Sequence, residues 1–111
     1  MRDSGLSRSA FLILLAVADR PRHGLGIMDE VEDRTVGAVR LGPGTLYGTL
    51  QKLADAGLVR ETAEAPDPGD DDPRRRYYRI TPRGARRLRE EAALMSALVR
   101  IASLKNLLEE R

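Results

Sequence analysis

The stretch Leu41-Gly42-Pro43-Gly44-Thr45-Leu46-Tyr47-Gly48-Thr49-Leu50-Gln51-Lys52-Leu53-Ala54-Asp55-Ala56-Gly57 leaves the chain little choice of local structure. Pro43 suits the first helical position: its φ is already helical, and the N–H it lacks would have no partner there. Gly57 suits the left-handed residue that stops a helix. Between them Leu46, Leu50 and Leu53 recur at i, i+4 and i+7, one face of a helix. Thr45, Gly48, Thr49 and Lys52 share a different face, which carries hydroxyls, a glycine and a cation but no bulky apolar group. Such a face suits plain solvent, or the close approach of another backbone or a nucleic-acid groove. The rest of the chain decides between them.

A chain of 111 residues fits one domain with a modest core. With no Trp, three Tyr and one Phe, that core must come from Leu, Ile, Val, Ala and Met. The absence of Cys excludes disulfides, thiolate metal sites and thiol redox sensing. The first residues lack the plan of a secretion signal, and the longest apolar run, Ala10 to Ala18, is far too short to span a bilayer. These features point to a cytoplasmic protein without a membrane partner. A net charge of +2 argues only weakly for a polyanion, so the placement of the charges matters more.

In chain order, Ser7 or Ser9 can cap a first helix running to about Ala18. It is apolar nearly all round, with Phe11, Leu12, Ile13, Leu14, Leu15 and Val17, and must be buried on more than one side. A turn through Pro21 leads to a second helix from about Gly24 to Arg34, whose polar side is acidic. The lone His23 beside Gly24 reads as a turn or capping residue. Thr35 to Leu41 is a connection with room for a small strand at Ala38-Val39-Arg40-Leu41. After Gly57, Leu58 to Thr62 reads as a strand, Ala65 to Pro73 as an Asp- and Pro-rich loop, and Arg74 to Thr81 as a second strand. In the latter, alternation sets Tyr78 and Ile80 on one face and Arg75, Tyr77 and Arg79 on the other. Thr81 and Pro82 then open a last helix.

The expected fold class is mainly α with a small β-hairpin: a winged helix-turn-helix over residues 1–81, then a long C-terminal helix over 82–111. In that last helix Leu88, Ala92, Met95 and Val99 form a seam, and the apolar set then widens through Leu94, Leu98, Ile101, Leu104, Leu107 and Leu108. This is more apolar surface than so small a domain can cover. Together with Phe11 and Leu14 of the first helix, Leu88, Met95, Leu98, Val99, Ile101, Leu104 and Leu108 are the expected contacts of a homodimer.

Catalysis finds no footing. The chain has no Cys, one His, no HExxH pair and no P-loop spacing, so neither catalytic residue, metal nor cofactor is expected. Binding of double-stranded DNA fares better. Arg74, Arg75 and Arg76 stand where the hairpin tip meets its second strand, and guanidinium forks match phosphate oxygens. The aspartates of the loop are the competing partners for these arginines. Thr45, Tyr47, Gly48, Thr49 and Lys52 would address the groove. A two-fold axis would set two such units roughly 34–36 Å apart on one face of the duplex. The alternative is a protein-interaction module that uses the same scaffold without specific DNA binding.

Four segments carry a family likeness: His23-Gly24-Leu25-Gly26-Ile27; Leu41 to Tyr47; Leu53 with Gly57-Leu58-Val59; and Arg76-Tyr77-Tyr78-Arg79-Ile80-Thr81 with Gly84. From about Phe11 to Leu108 the chain resembles the PadR family of bacterial transcriptional regulators, in its short form. The resemblance implies a winged helix, a C-terminal dimerisation helix, repression at a palindromic operator and release by a small-molecule effector. It also implies that Tyr47 contacts DNA or its backbone. Three positions depart from the family pattern. Leu25 stands where Tyr is usual after His-Gly, and Gly42 replaces a Ser or Thr cap. The terminal helix has no aromatic residue with which to stack flat ligands.

Overall fold

The computed structural model describes residues 5–63 and 75–105. In chain order these form α1 (Arg8–Ala16), β1 (Arg22–His23), α2 (Gly24–Arg34), α3 (Pro43–Asp55), β2 (Val59–Thr62), β3 (Tyr77–Ile80) and α4 (Pro82–Leu104). Arg74, Leu108 and the loop from Ala65 to Pro73 lie outside the described residues.

Ser7 starts α1, its hydroxyl accepting from the Ala10 N–H at 3.1 Å. The helix stops slightly before Ala18. There the Arg22 Nε–H donates to the Ala16 carbonyl at 2.7 Å, a cation on the negative end of the helix dipole. Ile13, Leu14, Ala16 and Val17 are buried, and α1 packs against α2, α3 and α4. It is the centre of the core, which accounts for its nearly uniform apolarity.

His23 caps α2: its Nδ1 accepts from the Gly26 N–H at 3.1 Å. Ile27 and Val31 face the core, while Glu30 pairs with Arg34 at 2.9 Å and Arg22 at 3.7 Å. The strand expected at Ala38 to Leu41 does not form. The Val39 N–H is taken by the Thr35 hydroxyl at 3.0 Å, which itself donates to the Val31 carbonyl at 2.8 Å. This bracket folds the connection as a loop and turns Val39 and Leu41 toward the core.

Helix α3 has the boundaries its proline and glycine dictate. No side chain caps it at Gly42. At the far end Gly57 takes φ 77°, the Leu58 N–H donates to the Leu53 carbonyl at 2.9 Å and the Gly57 N–H to Ala54 at 3.0 Å. These are the paired bonds of a Schellman stop, with Leu53 and Leu58 both buried beneath it.

The sheet has three antiparallel strands in the order β1-β3-β2, not the two of a simple hairpin. Arg22 and His23, read from sequence as part of a turn, pair with Tyr78 and Tyr77. Tyr77 is 3% exposed, as buried as Tyr78 on the opposite face, because the His23 ring meets it edge-on with centroids 5.4 Å apart.

Thr81 fixes the start of α4. Its hydroxyl accepts from the Gly84 N–H at 2.9 Å and donates to the Gly57 carbonyl at 2.7 Å, and its N–H donates to Leu58 at 3.1 Å. Gly84, Leu88 and Glu91 are buried, so the packing of α4 changes near Glu91 rather than at its first residue. Beyond that point Leu94, Leu98, Val99, Ile101 and Leu104 are between 48% and 77% exposed. No helix among the described residues is long and apolar enough to cross a membrane.

Candidate nucleic-acid interface

Burying Leu46, Leu50 and Leu53 fixes the rotation of α3 and so decides what its other faces show. Thr45, Gly48 and Lys52 are exposed along one side, Thr49 is half-buried at its edge, and Tyr47 is 50% exposed. Tyr47 does not stand free. Its ring leans onto the first residue of α2, where only a glycine leaves room: a Cβ on Gly24 would lie 2.9 Å from the ring's Cζ.

Beside this face runs a groove of about 680 Å³ between α3 and the sheet. Tyr47, Leu50, Gln51 and Ala54 of α3 form one wall, and Glu61, Arg75, Arg76 and Tyr78 of the hairpin form the other. The start of α2, with His23, Gly24 and Leu25, closes one end. Arg76 reaches across β2 to Glu61 at 3.2 Å, both side chains more than half exposed. Burial pushes the Tyr78 hydroxyl above the ordinary tyrosine range. The negative charge of Glu61 acts in the same direction and Arg76 opposes it, so the phenol stays a hydrogen-bond donor.

The fold thus brings Thr45, Tyr47, Gly48, Thr49 and Lys52 together on one helix, with Arg75 and Arg76 facing them across the groove. His23, Leu25, Gln51 and Glu61 also line it, although sequence reasoning gave them no place there. The Gly24–Tyr47 pair carried a usable signal, a glycine opening a helix beside a histidine. The position of Glu61 follows only from the strand register.

The expected dimer contacts divide. Leu14 and Leu88 fill the chain's own core, at 0% and 8% exposure. Phe11 is partly buried against that core and Met95 is half-buried. Leu98, Val99, Ile101 and Leu104 are exposed, joined by Leu94.

Comparison with known proteins places these features in context. The family model described as "Transcriptional regulator PadR-like family" matches residues 13–90. An uncharacterized 37.1 kDa protein in transposon TN4556 of Streptomyces fradiae is 40% identical over 87 residues, 78% of this chain. The chain spans only 23% of that relative's length. The transcriptional regulator Rv3488 of Mycobacterium tuberculosis is 37% identical over 89 residues, covering 79% of this chain and 76% of the relative. Among solved structures, a PadR family transcription regulator from Clostridium difficile superposes with a TM-score of 0.74 at 19% identity, covering 88% of this chain and 97% of that one. The regulator BldR from Sulfolobus solfataricus gives 0.66 at 27% identity, covering 88% and 62%. At 19% identity, the first of these two likenesses speaks to the fold alone.

Proposed function

The chain belongs to the PadR-like family of transcriptional regulators, and we propose that it acts as a cytoplasmic repressor, a homodimer on a palindromic operator that a small-molecule effector releases. The observation that carries this reading is the juxtaposition of the small polar face of α3 with a groove whose far wall holds Arg75 and Arg76. A helix with Thr45, Gly48, Thr49 and Lys52 outward can enter a major groove without steric conflict. The groove beside it is then the seat of one phosphodiester strand, with the wing arginines on the flanking backbone. Tyr47, its hydroxyl end packed on Gly24, lies on the wall of that groove.

The second half of α4 supports the dimer. Leu94, Leu98 and Ile101 recur at i, i+4 and i+7 and are about half exposed, an apolar stripe that water alone disfavours. Pairing two such helices buries the stripe and directs the two copies of α3 along one edge.

The deciding experiment selects bound duplexes from a genomic pool and titrates the recovered site with salt. Two half-sites about one helical turn apart are expected. If the dimer neutralises on the order of six phosphates, log affinity falls with log salt at a slope of about −5. A flat salt dependence, or single chains at micromolar concentration with no duplex retained, would overturn the reading. Retention of a protein partner with no duplex would favour an interaction module instead.

A further inference from the structure

Gln51 and Asp55 are exposed one turn apart on α3, on the side of the helix that lies nearly opposite the buried Leu46, Leu50 and Leu53. The Gln51 amide is held: its Nε2 donates to Asp55 Oδ1 at 2.9 Å. An ionised carboxylate only accepts, so it is the nitrogen end of the amide that faces Asp55. The Gln51 oxygen is left as an acceptor, and the second N–H as a donor. Gln51 also lines the groove between α3 and the wing, so these free groups stand where the helix face meets that groove. The residue one turn before it is Gly48, and a Cβ there would meet nothing within 4 Å. Glycine weakens a helix interior, and no neighbour within the chain requires it here; what its missing side chain provides is room for a body outside to come close.

Asp55 is poorly placed for any other task. It is the last residue of α3, where a carboxylate opposes the helix dipole, and it stands on the face offered to phosphate. No ion pair offsets either disadvantage among the described residues. Its one bond is to Gln51.

One acceptor beside one donor is a pattern that a single base answers in the major groove. Adenine presents the N6 amino group next to N7, a donor beside an acceptor. Guanine presents two acceptors, so its O6 would face the Gln51 oxygen. Cytosine offers a donor alone, and thymine an acceptor and a methyl group. We infer that Gln51 selects an adenine in each half-site and that Asp55 is the positioning residue that holds its amide ready, an inference that rests on the function proposed above. Gly48 lets the helix approach closely enough for the amide to reach the base edge.

The test selects duplexes from a random pool with the full chain and with Gln51→Ala, Asp55→Ala and Asp55→Asn. Sites of the parent chain should carry an adenine in each half-site that Gln51→Ala no longer selects, while the other positions are kept. Two base analogues then probe that adenine without altering the protein: 7-deazaadenine, which lacks N7, and purine, which lacks the N6 amino group. Each should weaken the parent chain about fivefold or more and the Gln51→Ala chain less than about twofold. Asp55→Ala should lower the preference for that adenine about threefold or more. The same variant should bind random-sequence duplex more tightly, because a carboxylate has left the face turned to phosphate. Asp55→Asn, whose amide oxygen still accepts from Gln51, should keep the preference and share the tighter random binding. A pair that only steadied the helix would lower the melting temperature in Asp55→Ala and leave the base preference unmoved, which would overturn the inference. Retained duplexes without an adenine that depends on residue 51, or indifferent to both analogues, would overturn it while leaving the proposed function standing. A parent chain that retains no duplex of any sequence would refute the proposed function and this inference with it.

Discussion

The ring of Tyr47 occupies the space a side chain on residue 24 would need: a Cβ on Gly24 would stand 2.9 Å from the ring's Cζ and closer still to its hydroxyl. This contact ties the exposed face of α3 to the first turn of α2 and gives a half-exposed tyrosine a fixed direction. Gly24→Ala must therefore displace the ring or shift the helix, at a cost of about 1–3 kcal/mol. In a Tyr47→Ala background the same change should cost less than about 1 kcal/mol, since the nearest atom then left is the Leu46 Cδ2, at 3.3 Å. Urea unfolding of the four chains measures the coupling, and simple additivity would contradict the contact.

Gly84 presents a harder case, because its neighbour is backbone. A Cβ there would overlap the Leu58 carbonyl oxygen and come within 2.9 Å of the Leu58 carbonyl carbon and of Ile80 Cγ1. The carbonyl cannot swing aside, since the Thr81 N–H is bonded to it. Gly84→Ala is expected to cost about 3 kcal/mol or more, exceeding Gly24→Ala in the same denaturation series. A loss below that of Gly24→Ala would mean that α4 tilts away without penalty.

These two glycines show where the sequence could be read and where it could not. The boundaries of α2 and α3 were legible because His23, Pro43 and Gly57 act locally, through φ and through the partners of terminal N–H and carbonyl groups. The core leucines of α3 followed from helical period alone. Strand β1 was not legible: two residues carry no alternation, and Arg22 and His23 become a strand only because β3 has a free edge beside them. The burial of Tyr77 followed the same pairing. Likewise Leu14 and Leu88 look no different in sequence from Leu98. Three-dimensional packing alone separates the leucines within the core from those outside it.

Val36 closes α2 in the left-handed region, at φ 52°, with the paired bonds of a Schellman stop around it: the Gly37 N–H to the Glu32 carbonyl at 2.8 Å and the Val36 N–H to Asp33 at 3.2 Å. A β-branched residue is strained there, and Val36, 92% exposed, gains no packing in return. Val36→Gly should raise the stability by about 1 kcal/mol, read as a higher urea midpoint at unchanged slope. Val36→Ala, which keeps the Cβ, should recover less. A destabilised glycine variant would show that the side chain makes a contact in the assembled protein.

Among the described residues, Glu61 is the one carboxylate on the wall of the groove proposed to seat a phosphodiester strand, and it holds Arg76 at 3.2 Å. With side chains 73% and 54% exposed, the pair adds little to folding, so Glu61→Gln should change stability by less than about 0.5 kcal/mol. Its effect on duplex binding should be larger and favourable. The substitution removes a negative charge facing phosphate and releases a guanidinium to pair with it instead. Affinity at low salt should rise by about three- to tenfold, and the salt slope of a dimer should steepen by roughly two, one added phosphate contact in each half-site. Arg76→Gln should move both quantities the opposite way. Duplex titrations of the three chains across a salt series provide the check. A Glu61→Gln chain that binds no tighter would mean that the strand does not run through this groove.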